Sequence, residues 1–325
     1  MGERDPHRGF IKDSGAKSGN DLQKIKLFGH FPDSLEVRGD VADYYLEVQR
    51  FDRVVGAAIA ALEACGQLDN TIIVMTGDHG MPFPRCKSNN YDSGARVPLA
   101  VRWPKNVKAG TVVTEFVSLI DLAPTFYEAA GVAIPEVVTG RSLLPLLAGK
   151  DTSDRSYVLH GKERHVPGQE APDMGGYPTR ALRTEDYLVI VNFTPERAPM
   201  GEPLKLNDPQ PPTYKQIENN TRLTYGDVDA GPTKAWMIKH RDDPKYKRHW
   251  ELGFGPRPRE EFYDLNSDPH QINNLAGNKA YDAIRDALRG LLLDELRRNK
   301  DPRLEGDTFD KPPYNKKTRA GQTKR

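Results

Sequence analysis

An aspartate and a histidine stand side by side at the end of a short apolar run, with a lysine following in the same loop. Asp78 and His79 close the run Ile72, Ile73, Val74, Met75 and are bracketed by Gly77 and Gly80, while Arg85 and Lys87 come a few residues later. An ionised aspartate is a hard oxygen donor and a neutral imidazole an adaptable nitrogen donor, so the pair suits one divalent cation. An ammonium beside such an ion would bind the anionic group that the metal polarises. Two ligands do not complete a shell, and the same Asp-His-Gly also fits a turn with a helix cap. The remaining ligands would have to come from other strand ends.

Delivering these groups requires a strand and something to brace it. The apolar run at 72–75, rich in β-branched residues, reads as a strand buried on both faces, of the kind found in parallel sheets covered by helices, whose ligand crevice lies beyond the carboxyl ends of the strands. A second apolar segment spans 97–103. Upstream, Val41, Tyr44, Tyr45, Val48, Phe51, Val55, Ile59 and Leu62 recur at three- and four-residue steps, predicting a helix over 41–65 with Asp40 as its cap and Gly66 as its stop. Residues 18–32 read as a loop in which His30 is an ordinary exposed histidine.

Further helices are expected at 119–130, stopped by Gly131, and after Pro145. A strand at 155–160 then leads to Gly161, Lys162, Glu163, Arg164 and His165, where His165 is a candidate substrate contact and a solvated loop the competing reading. Residues 180–183 and 187–193 predict a hairpin, and the proline-studded stretch 195–212 a loop. Trp236, His240, His249 and Trp250 fall in a basic, aromatic insertion for which loop packing is the default. A strand at 260–265 and an amphipathic helix carrying Tyr281, Ile284, Leu288, Leu291, Leu292 and Leu296 close a small antiparallel unit.

Composition bounds the classes available. The 325 residues are 37% hydrophobic and 29% charged with a net charge of +1, a globular balance that gives no reason to expect a nucleic-acid partner. No run approaches the roughly 20 apolar residues of a membrane-spanning helix, so no membrane partner is expected. Two cysteines, Cys65 and Cys86, make no disulfide framework. The charge is uneven: residues 311–325 hold six bases and no acid, leaving 41 bases against 46 acids elsewhere, and read as a solvated, disordered tail.

Four segments carry a resemblance. TGDHGMPFPRCKSNNYDSGARVPLAVRWP, starting at Thr76, resembles the second signature region of the sulfatase family, within the alkaline-phosphatase-like superfamily. Asp5-Pro6-His7-Arg8 is similar to the Asp-Pro-His-Arg of the branch containing heparan N-sulfatases. DVADYYLEVQRFDRVVG at 40–56 resembles the helix before the metal strand, and EEFYDLNSDPHQINNLA at 260–276 the family's C-terminal motif. Gly77 in place of the usual Ser, and Asp92-Ser93-Gly94 in place of Glu-Gly-Gly, are departures that delete neither a ligand nor a charge.

The resemblance implies an α/β fold: an incomplete alkaline-phosphatase-like sheet with helices on both faces over 1–165, a smaller C-terminal α+β subdomain with an antiparallel sheet over 166–310, and the tail 311–325. It implies that Asp78 and His79 ligate a divalent metal, calcium being the expected ion. Lys87 would contact the sulfate and the leaving-group oxygen, His7 would assist, and Arg85 would contact substrate. The partner implied is a sulfated glycan or other sulfate ester, with a phosphodiester or phosphonate, or a non-catalytic glycan-binding remnant, as alternatives. Family members are periplasmic, secreted or lysosomal.

The family's nucleophile is a formylglycine made from the first residue of a Cys/Ser-x-Pro-x-Arg pentapeptide. Cys65 is followed by Gly66-Gln67-Leu68 and Cys86 by Lys87-Ser88-Asn89, so neither cysteine begins one. The family's paired aspartates would lie before His7, where six residues stand. The expectation is therefore a C-terminal portion of a sulfatase with no turnover as written.

Overall fold

The computed structural model describes residues 5–150, 155–166, 168–169, 175–306 and 309, so the basic tail read at 311–325 lies outside the described residues. After a single turn, α1 (Ser14–Lys17), the chain forms the long helix α2 (Leu35–Ala64), then β1 (Ile73–Thr76), the turn α3 (Asp92–Ala95) and β2 (Leu99–Arg102). Helices α4 (Leu122–Ala129) and α5 (Leu144–Leu147) lead to β3 (Tyr157–Lys162), β4 (Thr179–Thr184) and β5 (Tyr187–Asn192). Then come α6 (Tyr214–Asn219), α7 (Pro232–Lys239), α8 (Lys247–Phe254), β6 (Glu260–Asp264) and α9 (Asp282–Arg298).

Helix α2 begins six residues before the apolar periodicity suggests. Its cap is Ser34, whose Oγ accepts from the Val37 amide. Asp40 therefore caps nothing. It is buried on the helix flank, where both carboxylate oxygens accept from Arg8 at 2.8 Å and Oδ2 also accepts from the amide and hydroxyl of Thr233 at the start of α7. The expected stop holds: Gly66 takes φ 71° just past the helix end, a backbone conformation that favours glycine.

Strand β1 runs antiparallel to β2, pairing Ile73 with Arg102 and Thr76 with Leu99. The expectation of a parallel strand buried on both faces is not met within this chain. All four β1 residues are half-buried, and among the described residues β1 has no strand on its other edge. The run of β-branched residues correctly identified a strand, because that preference is local, but burial depends on neighbours that local sequence does not encode.

The second sheet is antiparallel throughout in the order β3-β4-β5-β6, and β3, read as ending the larger unit, is its edge strand. Strand alternation sorts its side chains. Ala181, Leu188, Ile190 and Tyr263 face one side with Tyr91 from the loop after β1; Leu182, Val189, Val191 and Phe262 face the other and pack on Leu292 and Leu296 of α9. A third core joins the first half of α2 to α7 and α8 through Val37, Val41, Phe83, Cys86, Trp236, Met237 and Phe254. The aromatic insertion is thus largely helical, and Pro232 at the first position of α7 favours that start.

His30 is a further correction. It is buried, stacked on Phe28 with ring centroids 5.3 Å apart, and its Nε2 lies 3.6 Å from Cys86 Sγ. Burial, with Arg85, His270 and His249 nearby, pushes its pKa well below the ordinary value.

Candidate active site

The loop after β1 is closed by its own backbone. Gly80 N donates to Gly94 O at 2.8 Å, Lys87 N donates to Met81 O at 3.1 Å, and Ser93 Oγ donates to Arg85 O at 2.8 Å. Gly80 is required for this closure, since a Cβ there would stand 1.9 Å from the Ser93 carbonyl oxygen. Arg8 fastens the loop from outside: Nε donates to Pro82 O at 2.9 Å while the same guanidinium holds Asp40 and lies over the Phe10 and Phe83 rings. One loop, anchored to α2 and α7 by one buried ion pair, therefore carries Asp78, His79, Arg85 and Lys87.

Asp78 and His79 stand at its open end, with side chains 88% and 35% exposed. His79 Nδ1 donates to Gly80 O at 2.7 Å, which leaves the Nε2 lone pair available, the tautomer a metal-binding imidazole needs. That Nε2 lies 3.6 Å from Asp78 Oδ2, too far for a hydrogen bond and suited to two donors meeting one cation. The donor chemistry fits a divalent ion, but the count does not. No group of three or more His, Cys, Asp or Glu side chains among the described residues is arranged to hold one. The pair is a partial shell.

Lys87 lies deeper, its Nζ donating to Asp229 Oδ2 at 3.0 Å, with the two side chains only 8% and 16% exposed. Asp229 was not singled out by sequence reasoning, nor was Asp227 two residues earlier. Asp227 accepts from Lys162 Nζ at 3.0 Å and from the Val166 amide, and its Oδ1 lies 3.0 Å from His165 Nδ1. Burial raises the Asp227 pKa, but Lys162 and His165 outweigh it and leave the carboxyl below its usual range. Burial likewise pulls Lys162 down, only partly offset by Asp227. The signal available was Asp227-Val228-Asp229 flanked by Gly226 and Gly231, an acid-x-acid turn shortly before the aromatic insertion.

The remaining candidates separate. His165 belongs with Asp227 and keeps about a third of its side chain exposed. His7 is exposed and donates from Nδ1 to the Arg8 carbonyl; among the described residues no hydrogen bond or ion pair joins it to Lys87 or Asp78. Arg85 is not a solvent-facing cation, contrary to its reading as a substrate contact. It is buried over the Tyr91 ring at 3.6 Å and donates to Leu252 O, Gln271 O and Tyr263 Oη. Those bonds, with Glu261 accepting from Tyr91 and Tyr263 at 2.7 Å each, sew the loop to the second sheet.

Comparison with known proteins bears on the family and the fold. Residues 8–132 match the family described as Sulfatase, and residues 77–197 the family described as N-sulphoglucosamine sulphohydrolase, C-terminal. An ulvan-active sulfatase of Formosa agariphila is 29% identical over 259 residues, 79% of this chain and 38% of that protein. Human N-sulphoglucosamine sulphohydrolase is 28% identical over 273 residues, 80% of this chain and 48% of that protein. The chain thus spans less than half the length of these curated relatives. Among solved structures, BT4656 in complex with its substrate D-glucosamine-2-N,6-O-disulfate superposes with a TM-score of 0.54 at 24% identity, covering 80% of this chain and 41% of that one, a likeness of fold.

Proposed function

We propose, from the premise that the chain belongs to the sulfatase family, that its loop at 77–95 is the sulfate-binding part of a hydrolase acting on sulfated glycans. The observation that carries this reading is the closed loop itself, which holds the Asp78-His79 pair and the Lys87 ammonium on one backbone-bonded frame. In that reading Asp78 and His79 contribute two ligands to a divalent cation, calcium being the ion expected, and the bound ion would polarise a sulfate oxygen. Lys87 holds the anion with a charge-assisted hydrogen bond. Arg8 and Asp40 keep the loop in place, and His165 with Lys162 lies beside the carboxylate turn where a sugar would enter.

Formylglycine has no host in these residues, because no cysteine or serine opens the pentapeptide and Cys86 is buried with its thiol pushed up to about 12. The chain as given is therefore proposed to bind a sulfated sugar without hydrolysing it. Calorimetry with heparan fragments tests the binding site. Replacing Lys87 by Ala should weaken binding by about 1.5–3 kcal/mol, the worth of a charged hydrogen bond, and equal affinity in the variant would remove Lys87 from the site.

A further inference from the structure

We infer that Asp229 is a specificity-determining residue: it selects a sulfate carried next to a hydrogen-bond donor, such as the hydroxyl or ammonium of an amino sugar, over a bare inorganic anion. The inference rests on the proposed function, because it concerns the ligand of Lys87. A lysine meant only to attract anions would stand clear of acids. Lys87 instead contacts a carboxylate at 3.0 Å, and this is the one hydrogen bond its ammonium makes among the described residues. Asp229 Oδ1 has no hydrogen-bond donor among the described residues. The pair therefore offers spare ammonium protons and a spare carboxylate oxygen side by side.

Asp229 sits on a turn whose backbone is braced by hydrogen bonds. The buried Lys234 ammonium donates to three carbonyls of that turn, Thr221 O and Tyr225 O at 3.1 Å and Val228 O at 2.8 Å. Thr221 Oγ1 accepts from the Ala230 amide at 2.9 Å, and Asp227 N donates to Met200 O at 3.0 Å. These bonds fix the backbone that carries Asp229, which keeps its carboxylate within reach of Lys87 when an anion arrives. That carboxylate repels a free sulfate dianion and accepts a hydrogen bond from a neutral or cationic donor beside a sulfate ester.

The test titrates the full chain with inorganic sulfate and with D-glucosamine 6-sulfate, following the Lys87 side chain by NMR. Wild type should bind the amino-sugar ester about tenfold or more tightly than inorganic sulfate, a ratio worth one good polar contact. The isosteric Asp229→Asn should bring the ratio near one by improving the inorganic ion. A wild-type ratio of one or below overturns the inference, and so does a ratio unchanged in Asp229→Asn. Loss of both ligands in Lys87→Ala together with an unaltered Asp229→Asn ratio would remove Asp229 alone and leave the proposed function standing. Binding of neither ligand by wild type would remove both.

Discussion

The two ends of one loop have different physics. At Asp78 and His79 the side chains meet solvent and have few protein partners, while at Arg85 and Cys86 they are buried and engaged with other elements, and Lys87 stands between the two with Asp229 as its partner. Motif spacing marks the loop as a whole, but burial separates groups that can meet a ligand from groups that hold the loop in shape. Arg85 and Asp78 look equally chemical in the sequence. One is sewn into the second sheet, the other is open.

That contrast yields graded predictions. The largest effect should come from the anchor: Arg8→Met leaves Asp40 as an uncompensated buried charge and should cost about 3–5 kcal/mol in urea denaturation. A loss under 1 kcal/mol would mean the closed end is not held as described. Next, Gly80→Ala should cost about 1–3 kcal/mol, because the new methyl meets the Ser93 carbonyl and must push the loop open. An unaltered midpoint would show that the two strands of the loop are not in contact there.

His30 sharpens the comparison through pH. Its folded pKa is depressed, so between the ordinary value near 6.5 and that lower value the unfolded chain binds a proton the folded chain refuses. Stability should fall as pH drops below about 6.5, by at most about 1.4 kcal/mol per pH unit from this group. His30→Gln should flatten that slope in denaturation curves taken between pH 5 and 7, and identical slopes would place His30 in a solvated setting. The smallest effect belongs to the open end. Asp78→Asn should change stability by less than about 0.5 kcal/mol while abolishing any rise in melting temperature on adding calcium. A large loss without metal would make Asp78 a structural residue.

How far the sequence reached follows the same division. Features set by local chemistry were legible: the strand at 73–76, the stop at Gly66, the hairpin over 179–192, the helix over 282–298 and the Asp78-His79 pair at a strand end. Features set by long-range pairing were not. Asp40 looked like a cap because it precedes an apolar periodicity, yet its partners are Arg8 and Thr233, 32 and 193 residues away. His30 looked like a loop histidine because nothing near it in sequence shows that Cys86 and His249, 56 and 219 residues away, pack against it. Asp229 was invisible as the partner of Lys87, since 142 residues separate them.

The central claim is that Asp78, His79 and Lys87 form one ligand-binding tip, and crystals of the full chain grown with calcium and D-glucosamine 6-sulfate test it most directly. The account predicts a cation about 2.3–2.6 Å from an Asp78 oxygen, facing His79 Nε2, with a sulfate oxygen about 2.7–2.9 Å from Lys87 Nζ. A cation and sulfate bound elsewhere, with Lys87 still closed on Asp229 alone, would contradict it.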